Sequence, residues 1–584
     1  MRRVIRFLLP LVALSAVAVF SLAAVGSHGS ADEATPNMLH AANLPPPGEF
    51  VTCNRGGIAC FNSDLAFWNA GGLKGGFSRI LAQGNYEGFR LVDISNPRAP
   101  RDISVVACRT SQGDVSFYKA RKRVLLIQSI EEPVSSADCV TARENPVVPG
   151  TNPVTGLPGD FRLKGHEGLR VFDVTDPRKP THIATVRTAC GSHTHTTIFD
   201  RDHHRGIVYV SSYPNATRVT RREDLTTLPE QPNCIPDHNK ISIVEIPDAN
   251  PAAARLLKEQ PLHEDTLPLT GVTGQGGSAV RGCHDITVFE VSRGNGGDGR
   301  RTKRIAAGAC LEEGLLWDAS DPANPTTNVP GRHTHIRNPF INGPTPPFRG
   351  FFHTASFTWD GKVIVFTDEW QGAAAHGCDG PQDTRGNVWF YKAVEPGREA
   401  PLYGRFILPR PQTEDEACSM HNGNVIPTKE GYFGVSAAYQ AGTTVFDFSD
   451  VRGFQEIFLP YVAPATLQVP PTVATEIASF DARNDPFGPI GIDDAWSSYW
   501  HNDYVYASSG LPSPPPTPPA VCCRRPGRRG LDIYFLLGHR GRLVPPVIDP
   551  TAPAVRRFRA RQLPYQNPQT QEVRVEHLQE GHAH

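Results

Sequence analysis

The chain has 584 residues, with 58 Lys and Arg against 59 Asp and Glu, and its net charge is −1. Because there is no basic excess to neutralise a phosphate backbone, the composition argues against nucleic-acid binding. The 53 Gly and 54 Pro favour many turns over long helices, and the 39% hydrophobic content is enough to bury a large core. These numbers favour one large β-rich body.

The N-terminus has the features of an export signal. Three arginines within the first six residues precede an apolar run over residues 7–25, and small residues suited to signal-peptide cleavage follow it. We predict a signal peptide at residues 1–31, an N-terminal segment at 32–62 and a secreted, extracytoplasmic protein. The alternative is an uncleaved anchor that holds the protein at the cell surface, because the run is just long enough to span a membrane. Membrane contact is expected only through this segment.

One short segment recurs along the chain and ends in an aspartate followed by a turn. Its clearest copies are Phe89–Pro97 (FRLVDISNP), Leu169–Pro177 (LRVFDVTDP), Leu315–Pro322 (LLWDASDP) and Thr444–Asp450 (TVFDFSD). Asp or Asn suits the first position of a type I turn and Pro suits the second, so each copy is predicted to be a strand that ends in a turn. The recurring Asp93, Asp173, Asp318 and Asp447 are therefore expected to be structural.

Two further strand-like runs precede these copies, for example Thr196–Phe199 and Gly206–Ser212. The repeated unit is thus a four-stranded antiparallel meander, which cannot bury its faces alone and forms a β-propeller when repeated radially. We predict an all-β fold, a β-propeller of about seven four-stranded blades over residues 63–548. The predicted blades begin near Ser63, Gly113, His195, His284, His353, His421 and Ala495.

Two segments are predicted to lie outside this repeat. A Pro-rich insertion at 510–529 interrupts the last blade, and a tail rich in Arg, Gln and Pro occupies 549–584. We expect the tail to be poorly ordered and separate from the core.

The repeated motifs resemble those of the LVIVD-repeat family of extracytoplasmic propeller proteins, most closely at Leu169–Pro177. The resemblance extends from about Cys60 to Val547 and implies the propeller fold. It implies no catalytic residues, because members of that family are mostly uncharacterised.

Twelve cysteines after an export signal indicate an oxidising compartment and disulfide bonds. Cysteines fall alternately before the first strand of a unit and after its second strand, which are positions on the same face of the propeller. We predict that reduction lowers stability through loss of five pairs: Cys53–Cys60, Cys108–Cys139, Cys190–Cys234, Cys283–Cys310 and Cys378–Cys418. The adjacent Cys522 and Cys523 fit no pairing pattern.

Histidines recur at the start of the first strand in four consecutive units. His195, His284, His353 and His421 each lie four residues before an apolar strand residue. Because the innermost strands line the channel, we predict that these side chains gather at one channel mouth, with His193 near them. Acidic pairs are expected on the same face, at Glu131-Glu132, Glu312-Glu313 and Asp368-Glu369.

Imidazoles and carboxylates around an open channel suit a transition-metal site for Cu, Zn or Fe with vacant positions for a substrate. The alternative is that the histidines hydrogen-bond neighbouring blades and order the channel. The His193-x-His195 pattern is also loosely similar to selenium-binding proteins of the methanethiol oxidase type, propellers in which axial histidines are associated with copper.

Two functions remain open from the sequence. The first is a binding or interaction scaffold, whose partner is an extracytoplasmic protein or a small-molecule ligand. The second is a metal-dependent extracytoplasmic enzyme, an oxidoreductase, with its site at the His-lined channel mouth. We find no Gly-rich phosphate loop, nucleophile elbow or HExxH motif in the sequence. Metal analysis of the exported protein distinguishes the two functions.

Overall fold

In the computed structural model the chain is an all-β protein whose seven antiparallel sheets form a β-propeller, which confirms the predicted fold. The first strands of the seven blades begin within two residues of the predicted starts. The structure describes residues 33–50, 62–110, 112–135, 147–151, 158–162, 166–213, 238–262, 282–292, 302–311, 313–339, 350–369, 386–410, 418–459, 469–481, 495–509, 530–538, 556–557, 561–567 and 569–574.

Blades 1 to 6 each use four strands that follow one another in the chain. They are Asn62–Trp68, Ile80–Asn85, Gly88–Asp93 and Arg101–Ala107 in blade 1; Val115–Ala120, Arg123–Ser135, His166–Asp173 and Thr181–Arg187 in blade 2; Thr194–Asp200, Arg205–Ser211, Lys240–Pro247 and Arg255–Pro261 in blade 3; Asp285–Ser292, Lys303–Cys310, Glu313–Asp318 and His333–Arg337 in blade 4; Phe352–Phe357, Val363–Asp368, Val388–Lys392 and Leu402–Phe406 in blade 5; and Gly423–Val425, Phe433–Ala437, Thr443–Asp447 and Thr475–Asp481 in blade 6.

Blade 7 combines a strand from the N-terminal segment with three strands that follow blade 6 in the chain. Its first three strands are Ser497–His501, Tyr504–Ser508 and Leu531–Gly538, and its outer strand is Met38–Leu44 from the N-terminal segment. The ring closes because the first strand of each blade packs against the first strand of the next, including blade 7 against blade 1. Opening the ring at blade 7 therefore requires the breaking of sheet hydrogen bonds.

A few smaller elements complete the described structure. A two-residue strand, Glu33–Ala34, extends blade 6, Arg556–Arg557 pairs with Leu531–Gly538, and the strands Val147–Thr151 and Pro158–Arg162 form a separate hairpin. Short 3-10 helices lie at Gly48–Phe50, Arg201–His203, Pro251–Ala253, Tyr439–Ala441 and Val451–Gly453. Within the described residues no helix combines the length and the apolar character that a membrane crossing requires.

The recurring aspartates share one contact at the end of the third strand of their blade. The Oδ1 atom of each accepts the backbone N–H two residues further on, at 2.9 Å for Asp93, 3.0 Å for Asp173, 2.8 Å for Asp318 and 2.8 Å for Asp447. Such side-chain-to-backbone bonds fix the turn into the fourth strand. This contact accounts for the recurrence of Asp in the repeat.

The hydrophobic core lies between neighbouring blades rather than in the channel. Phe89 of blade 1 and Phe172 of blade 2, for example, meet edge-to-face with ring centroids 4.9 Å apart. The four largest fully buried side chains are tryptophans from different blades, namely Trp68, Trp317, Trp389 and Trp500. The channel is thereby left to the polar residues of the first strands.

The structure differs from the sequence prediction for residues 561–574, because this part of the tail contacts the first-strand region of every blade. Its backbone or side chains bond in turn to Pro427 (blade 6), Asn502 (blade 7), Phe67 (blade 1), Phe117 (blade 2), Thr197 (blade 3), Val288 (blade 4) and Phe357 (blade 5). The segments Tyr565–Gln566 and Thr570–Arg574 pair with the first strands of blades 1 and 4. The tail thus completes one circuit of the ring.

Two amide side chains of the tail explain this attachment. The free edge of an innermost strand exposes backbone N–H and C=O groups, which need partners when buried. Asn567 accepts from Phe117 N at 2.7 Å and donates to Phe117 O at 2.8 Å. Gln571 makes the same pair of bonds to Phe357, also at 2.7 and 2.8 Å. These Asn and Gln side chains therefore hydrogen-bond the backbone of the first strands.

The predicted disulfide Cys283–Cys310 is present. Cys108, Cys190 and Cys418 are also disulfide-bonded. Their predicted partners lie outside the described residues, as do Cys53, Cys60 and the Cys522-Cys523 pair. The predicted signal peptide at 1–31 and the Pro-rich insertion at 510–529 also lie outside them.

Candidate metal centre

Four histidines from blades 3 to 6 meet at the channel mouth where the first strands begin. His193 and His284 directly precede their first strands, His353 is the second residue of its strand, and His421 lies two residues before its own. In three of the blades the backbone N–H of the histidine donates to a carbonyl at the end of the second strand. The pairs are His193 with Ser211, His284 with Ala309 and His421 with Ala437. The repeat therefore places these backbones alike.

The four rings form a continuous arc. Their successive centroids are 4.1 Å apart for His193 and His284, 3.8 Å for His284 and His353, and 4.0 Å for His353 and His421. All four side chains are buried. The Nε2 atoms of His193 and His284 lie only 2.6 Å apart, so the first two rings point at one another.

Hydrogen bonds orient the outer two rings of the arc. The Nδ1–H of His193 donates to Glu131 Oε1 at 2.9 Å, and the Nδ1–H of His421 donates to the carbonyl of Trp496. In His421 the Nε2 lone pair is therefore left to face the cluster, whereas Nε2 of His193 accepts the Nε2–H of His284. A carboxylate or carbonyl that holds the remote N–H is the usual support of a metal-ligating histidine.

A buried carboxylate, Glu369, completes the cluster. Its oxygens lie 3.6 Å from His353 Nε2 and 3.8 Å from His421 Nε2, and one of them accepts a hydrogen bond from the Tyr439 hydroxyl. One ligand atom each from His284, His353 and Glu369 lies within 4.8 Å of the others. Two atoms that bind one ion at about 2.0–2.2 Å lie at most about 4.4 Å apart, so a single cation could contact all three atoms after a small adjustment of the side chains.

Burial sets the charge of the cluster. It lowers the pKa of His284 and of His353 well below the usual range, and neighbouring histidines lower both further. Burial also lowers the pKa of His421 to about 3 and raises the pKa of Glu369 to about 8. At neutral pH these three imidazoles are uncharged, which is the state that binds metal, whereas Glu369 is mostly protonated and would release its proton on binding a cation.

The donor set fits a transition metal. Neutral imidazoles with one carboxylate suit Fe, Cu or Zn. His353 Nδ1 and Glu369 Oε2 are buried and form no hydrogen bond with any described residue, and such orphaned atoms are costly unless something binds them. These atoms are open to an additional partner, and the donor set is compatible with a cation as that partner.

The cluster faces a small cavity of about 30 Å³. At ~10–15 Å³ for one water, it admits one or two molecules the size of water or dioxygen. Aromatic side chains surround the rings: Tyr213 stacks on His284 with centroids 5.8 Å apart, and Trp496 meets His421 edge-on at 4.8 Å. Phe351 lies 5.6 Å from His284. The aromatic rings therefore flank the histidines, whereas the cavity itself is also lined by polar side chains, among them Ser63, Asp64 and Asp114.

The structure places His195 apart from the cluster, contrary to the predicted alignment. Its Nε2 bonds to Ser116 Oγ and its Nδ1 to Ser129 Oγ, each at 2.7 Å, and Nδ1 also lies 3.1 Å from Asp114 Oδ2. His195 therefore joins blades 2 and 3 by hydrogen bonds. This is the role that the alternative interpretation of the sequence gave to all four histidines. His193, which directly precedes the first strand, occupies the cluster position in this blade.

The acidic pairs divide between two places. Glu131 and Glu369 support the cluster, whereas Glu313 bonds to His335 Nδ1 at 2.8 Å on the outer half of blade 4. Asp368 accepts hydrogen bonds from the Asn338 side chain and from the backbone N–H of Phe351. It therefore fixes the segments that contain these two residues and does not contact the histidine cluster through these bonds. Glu132 and Glu312 lie outside the residues whose side chains the structure describes.

Several residues of the site were not singled out from the sequence. Tyr439 has φ of +43°, a left-handed conformation that non-glycine residues adopt only when held, and no motif predicts it. A layer of buried carboxylates also lines the channel, formed by Asp64, Asp114 and Asp285. Burial and then the charge of Asp114 raise the pKa of Asp64 and Asp285 well above the usual range. A signal existed here, because each follows the residue at which its predicted unit starts.

Comparisons with known proteins give no family for this chain. No family model matches it, and no curated protein does. Among solved structures, an α-L-arabinofuranosidase from Clostridium thermocellum is similar over 62% of this chain and 96% of its own, with 11% identity and a TM-score of 0.27. Sqt1 from Saccharomyces cerevisiae is similar over 78% of this chain and 92% of its own, with 8% identity and a TM-score of 0.33. Membership of the LVIVD-repeat family stays a prediction.

Proposed function

We propose that this protein is a metal-dependent extracytoplasmic enzyme with its centre at the histidine-lined mouth of the channel. The observation that carries the proposal is the buried arc of His193, His284, His353 and His421, whose successive ring centroids lie 3.8 to 4.1 Å apart. Two of the imidazoles already share a hydrogen bond, because the Nε2 atoms of His193 and His284 lie 2.6 Å apart. The arc as a whole has more to gain from a cation that its rings share.

The ligand set is compatible with a redox metal. The described cysteines are all in disulfides and cannot serve as thiolate ligands, so the donors are imidazole nitrogens and the Glu369 carboxylate. Fe and Cu accept such ligands and would supply a redox-active, Lewis-acidic position open to a small molecule. We therefore propose an oxidoreductase and expect a ligand position on the cavity side of the arc.

Each neighbour of the arc then has a defined task. Glu131 fixes the ring of His193, the Trp496 carbonyl fixes the ring of His421, and Tyr439 holds Glu369. The aromatic rings of Tyr213, Phe351 and Trp496 keep bulk water away from the centre. These contacts preorganise the donors, which is the protein's contribution to a metal site.

The extracytoplasmic location and the LVIVD-repeat resemblance are part of the proposal. The Cys283–Cys310 disulfide supports an oxidising compartment, and the repeated strand-turn motif supports the family. The propeller fold also suits a binding scaffold. That function stands if the protein proves to bind no metal.

The experiment compares two His–Glu pairs of nearly equal length in the same chain. His193 bonds to Glu131 at 2.9 Å inside the cluster, and His335 bonds to Glu313 at 2.8 Å outside it. After loading with Cu(II), His193→Ala should retain less than a tenth of the wild-type metal at equal free copper, whereas His335→Ala should bind as wild type does. Azide should shift the visible absorption of the loaded wild type, because an open position accepts it.

Equal copper binding by the two variants would place the metal elsewhere and end the proposal. Copper bound at the arc with a spectrum that azide leaves unchanged would indicate a closed structural site. In that case the protein is not an enzyme that uses this metal to bind substrate.

A further inference from the structure

A second cavity lies at the opposite mouth of the channel, where the first strands end. Its volume is about 370 Å³, within the range of ~300–1,000 Å³ typical of small-molecule sites. Its walls come from the first strands of several blades and from the tail segment 561–574. None of the four clustered histidines lines it, so it is separate from the candidate metal centre.

Aromatic rings form one continuous wall of this cavity. Tyr565 of the tail stacks on Trp68 of blade 1 with centroids 5.8 Å apart and on Phe199 of blade 3 at 4.8 Å. Tyr118 of blade 2 meets Phe199 at 4.9 Å. Trp359 also lines the cavity. Such a wall favours a flat, unsaturated ligand, which can stack or lie edge-on against the rings.

The charges around the aromatic wall are mainly positive. Lys119, Arg201 and Arg561 line the cavity, and Asp248 is the one acidic residue among its lining residues. The Tyr118 hydroxyl donates to Asp248 and so occupies part of that carboxylate. Glu290 lies behind Arg201 at 3.3 Å but is shared with Arg304 at 2.6 Å. The cavity therefore carries an excess of cations.

Two of these cations lie over the aromatic rings. Lys119 Nζ is 5.8 Å from the centre of the Trp68 ring, and the Arg201 guanidinium is 5.3 Å from the centre of the Phe199 ring. A ligand ring seated on the wall would bring a ring-bound anionic group within reach of either cation. Arginine and lysine bind carboxylate and phosphate groups through charge-assisted hydrogen bonds.

We propose that this cavity binds a small aromatic anion, a molecule of one or two fused rings that carries a carboxylate or a phosphate. The rings lie against Trp68, Phe199 and Tyr565, and the anionic group faces Lys119 and Arg201. The tail supplies the amides of Gln566, Asn567 and Gln571 to the rest of the lining. The site therefore exists only while the tail is seated in the channel.

The test uses 2-naphthoate and 1-naphthyl phosphate, with 2-naphthylmethylammonium as a cation of the same ring size. Isothermal titration calorimetry of the full protein should show binding of at least one anion, with at least tenfold weaker binding of the cation. Quenching of tryptophan fluorescence should accompany it, because Trp68 and Trp359 line the cavity.

Arg201→Gln and Lys119→Gln should each weaken binding of the anion at least threefold, and together at least tenfold. Arg201 is exposed and Lys119 is half-buried, so both variants should fold. Arg178→Gln is the matched control, because Arg178 is an exposed arginine that pairs with Asp176 on a turn of blade 2. It should bind as wild type does.

Three outcomes overturn the proposal: no binding of either anion at millimolar concentration, equal binding of the cation, or equal affinity in the double variant and wild type. The metal content of these variants should equal that of wild type. The proposal for this cavity therefore fails or stands independently of the metal centre.

Discussion

The two mouths of the channel are built from the same seven first strands and are used in opposite ways. Where the strands begin, histidine and carboxylate side chains converge on a cavity of about 30 Å³. Where the strands end, the C-terminal tail pairs with strand edges and leaves a cavity of about 370 Å³. One mouth concentrates polar ligands, and the other closes the channel with backbone and amide hydrogen bonds.

The difference shows which residues distinguish the two mouths of the channel. The repeat fixes the backbone alike at both ends of a blade, so neither mouth is special by geometry alone. At the histidine mouth the side chains differ from blade to blade, with His in blades 3 to 6 and Asp64 and Asp114 in blades 1 and 2. At the tail mouth the distinguishing residues come from outside the repeat. The proposed function of the first mouth depends on four side chains, and closure of the second depends on one segment.

The largest effect is expected from removal of the tail. Truncation after residue 560 deletes the bonds to all seven blades, including the four amide bonds of Asn567 and Gln571. At ~0.5–1.5 kcal/mol net for each bond, the free energy of unfolding should fall by on the order of 5 kcal/mol. Urea unfolding followed by circular dichroism measures the loss.

The truncated protein should still bind metal, because none of the histidine contacts involves the tail. Substitution of Asn567 alone by Ala should produce a smaller loss of stability in the same direction. A truncated chain as stable as the full one would mean that the tail does not close the channel in solution.

A smaller effect is expected from pH, again at the tail mouth. His501 stacks on Phe67 and donates to Gln566 of the tail at 3.1 Å, and burial lowers its pKa to about 3. The unfolded chain protonates this histidine near pH 6.5, whereas the folded chain does not, so stability falls as the pH drops from 6.5 toward 3. At pH 5 this one group costs about 2 kcal/mol relative to neutral pH.

His501→Asn removes the titrating ring while it keeps an N–H donor for Gln566. The variant should lose less stability than wild type between pH 7 and pH 5, as measured by urea midpoints at both values. Equal losses would show that burial in the folded protein does not keep His501 neutral.

The smallest effect concerns the hydrogen bond that supports the candidate metal centre. Glu131→Gln removes the charge that holds the Nδ1–H of His193 but retains an acceptor. Partners of this kind contribute about tenfold to a hundredfold in metal affinity, so copper affinity should fall about tenfold with little change in stability. Glu313→Gln, which alters the equivalent pair at His335, should leave the affinity unchanged. The same drop in both variants would mean that net charge, and not the bond, matters.

The fold was predictable because the same strand-and-turn motif occurs several times along the chain. Each copy contains the residues that form its own strand and turn. The same hydrogen bond from a backbone N–H to the aspartate recurs in four blades, at Asp93, Asp173, Asp318 and Asp447. The start of each blade could be found to within two residues for the same reason. Closure by Met38–Leu44 could not, because strand pairing between chain ends leaves no local pattern.

The site was predictable only in part. His284, His353 and His421 follow from the alignment of units, and the structure brings them together with His193. His195 shows the limit, because it lies only two residues beyond His193 and yet is bonded in a blade interface instead of at the channel mouth. Tyr439 and the tail amides carry no pattern of their own. Their roles arise from contacts between residues distant in sequence, such as Tyr439 with Glu369 and Asn567 with Phe117.

The central claim is that the buried histidine arc is a metal centre, and the most direct test is the metal content of the exported protein. Inductively coupled plasma mass spectrometry of wild type at neutral pH should show about one transition-metal ion per chain. The His284→Ala, His353→Ala double variant should show none and yet remain a folded propeller by circular dichroism. A metal-free wild type after supplementation with iron, copper and zinc, or a double variant with the wild-type metal content, would contradict the account.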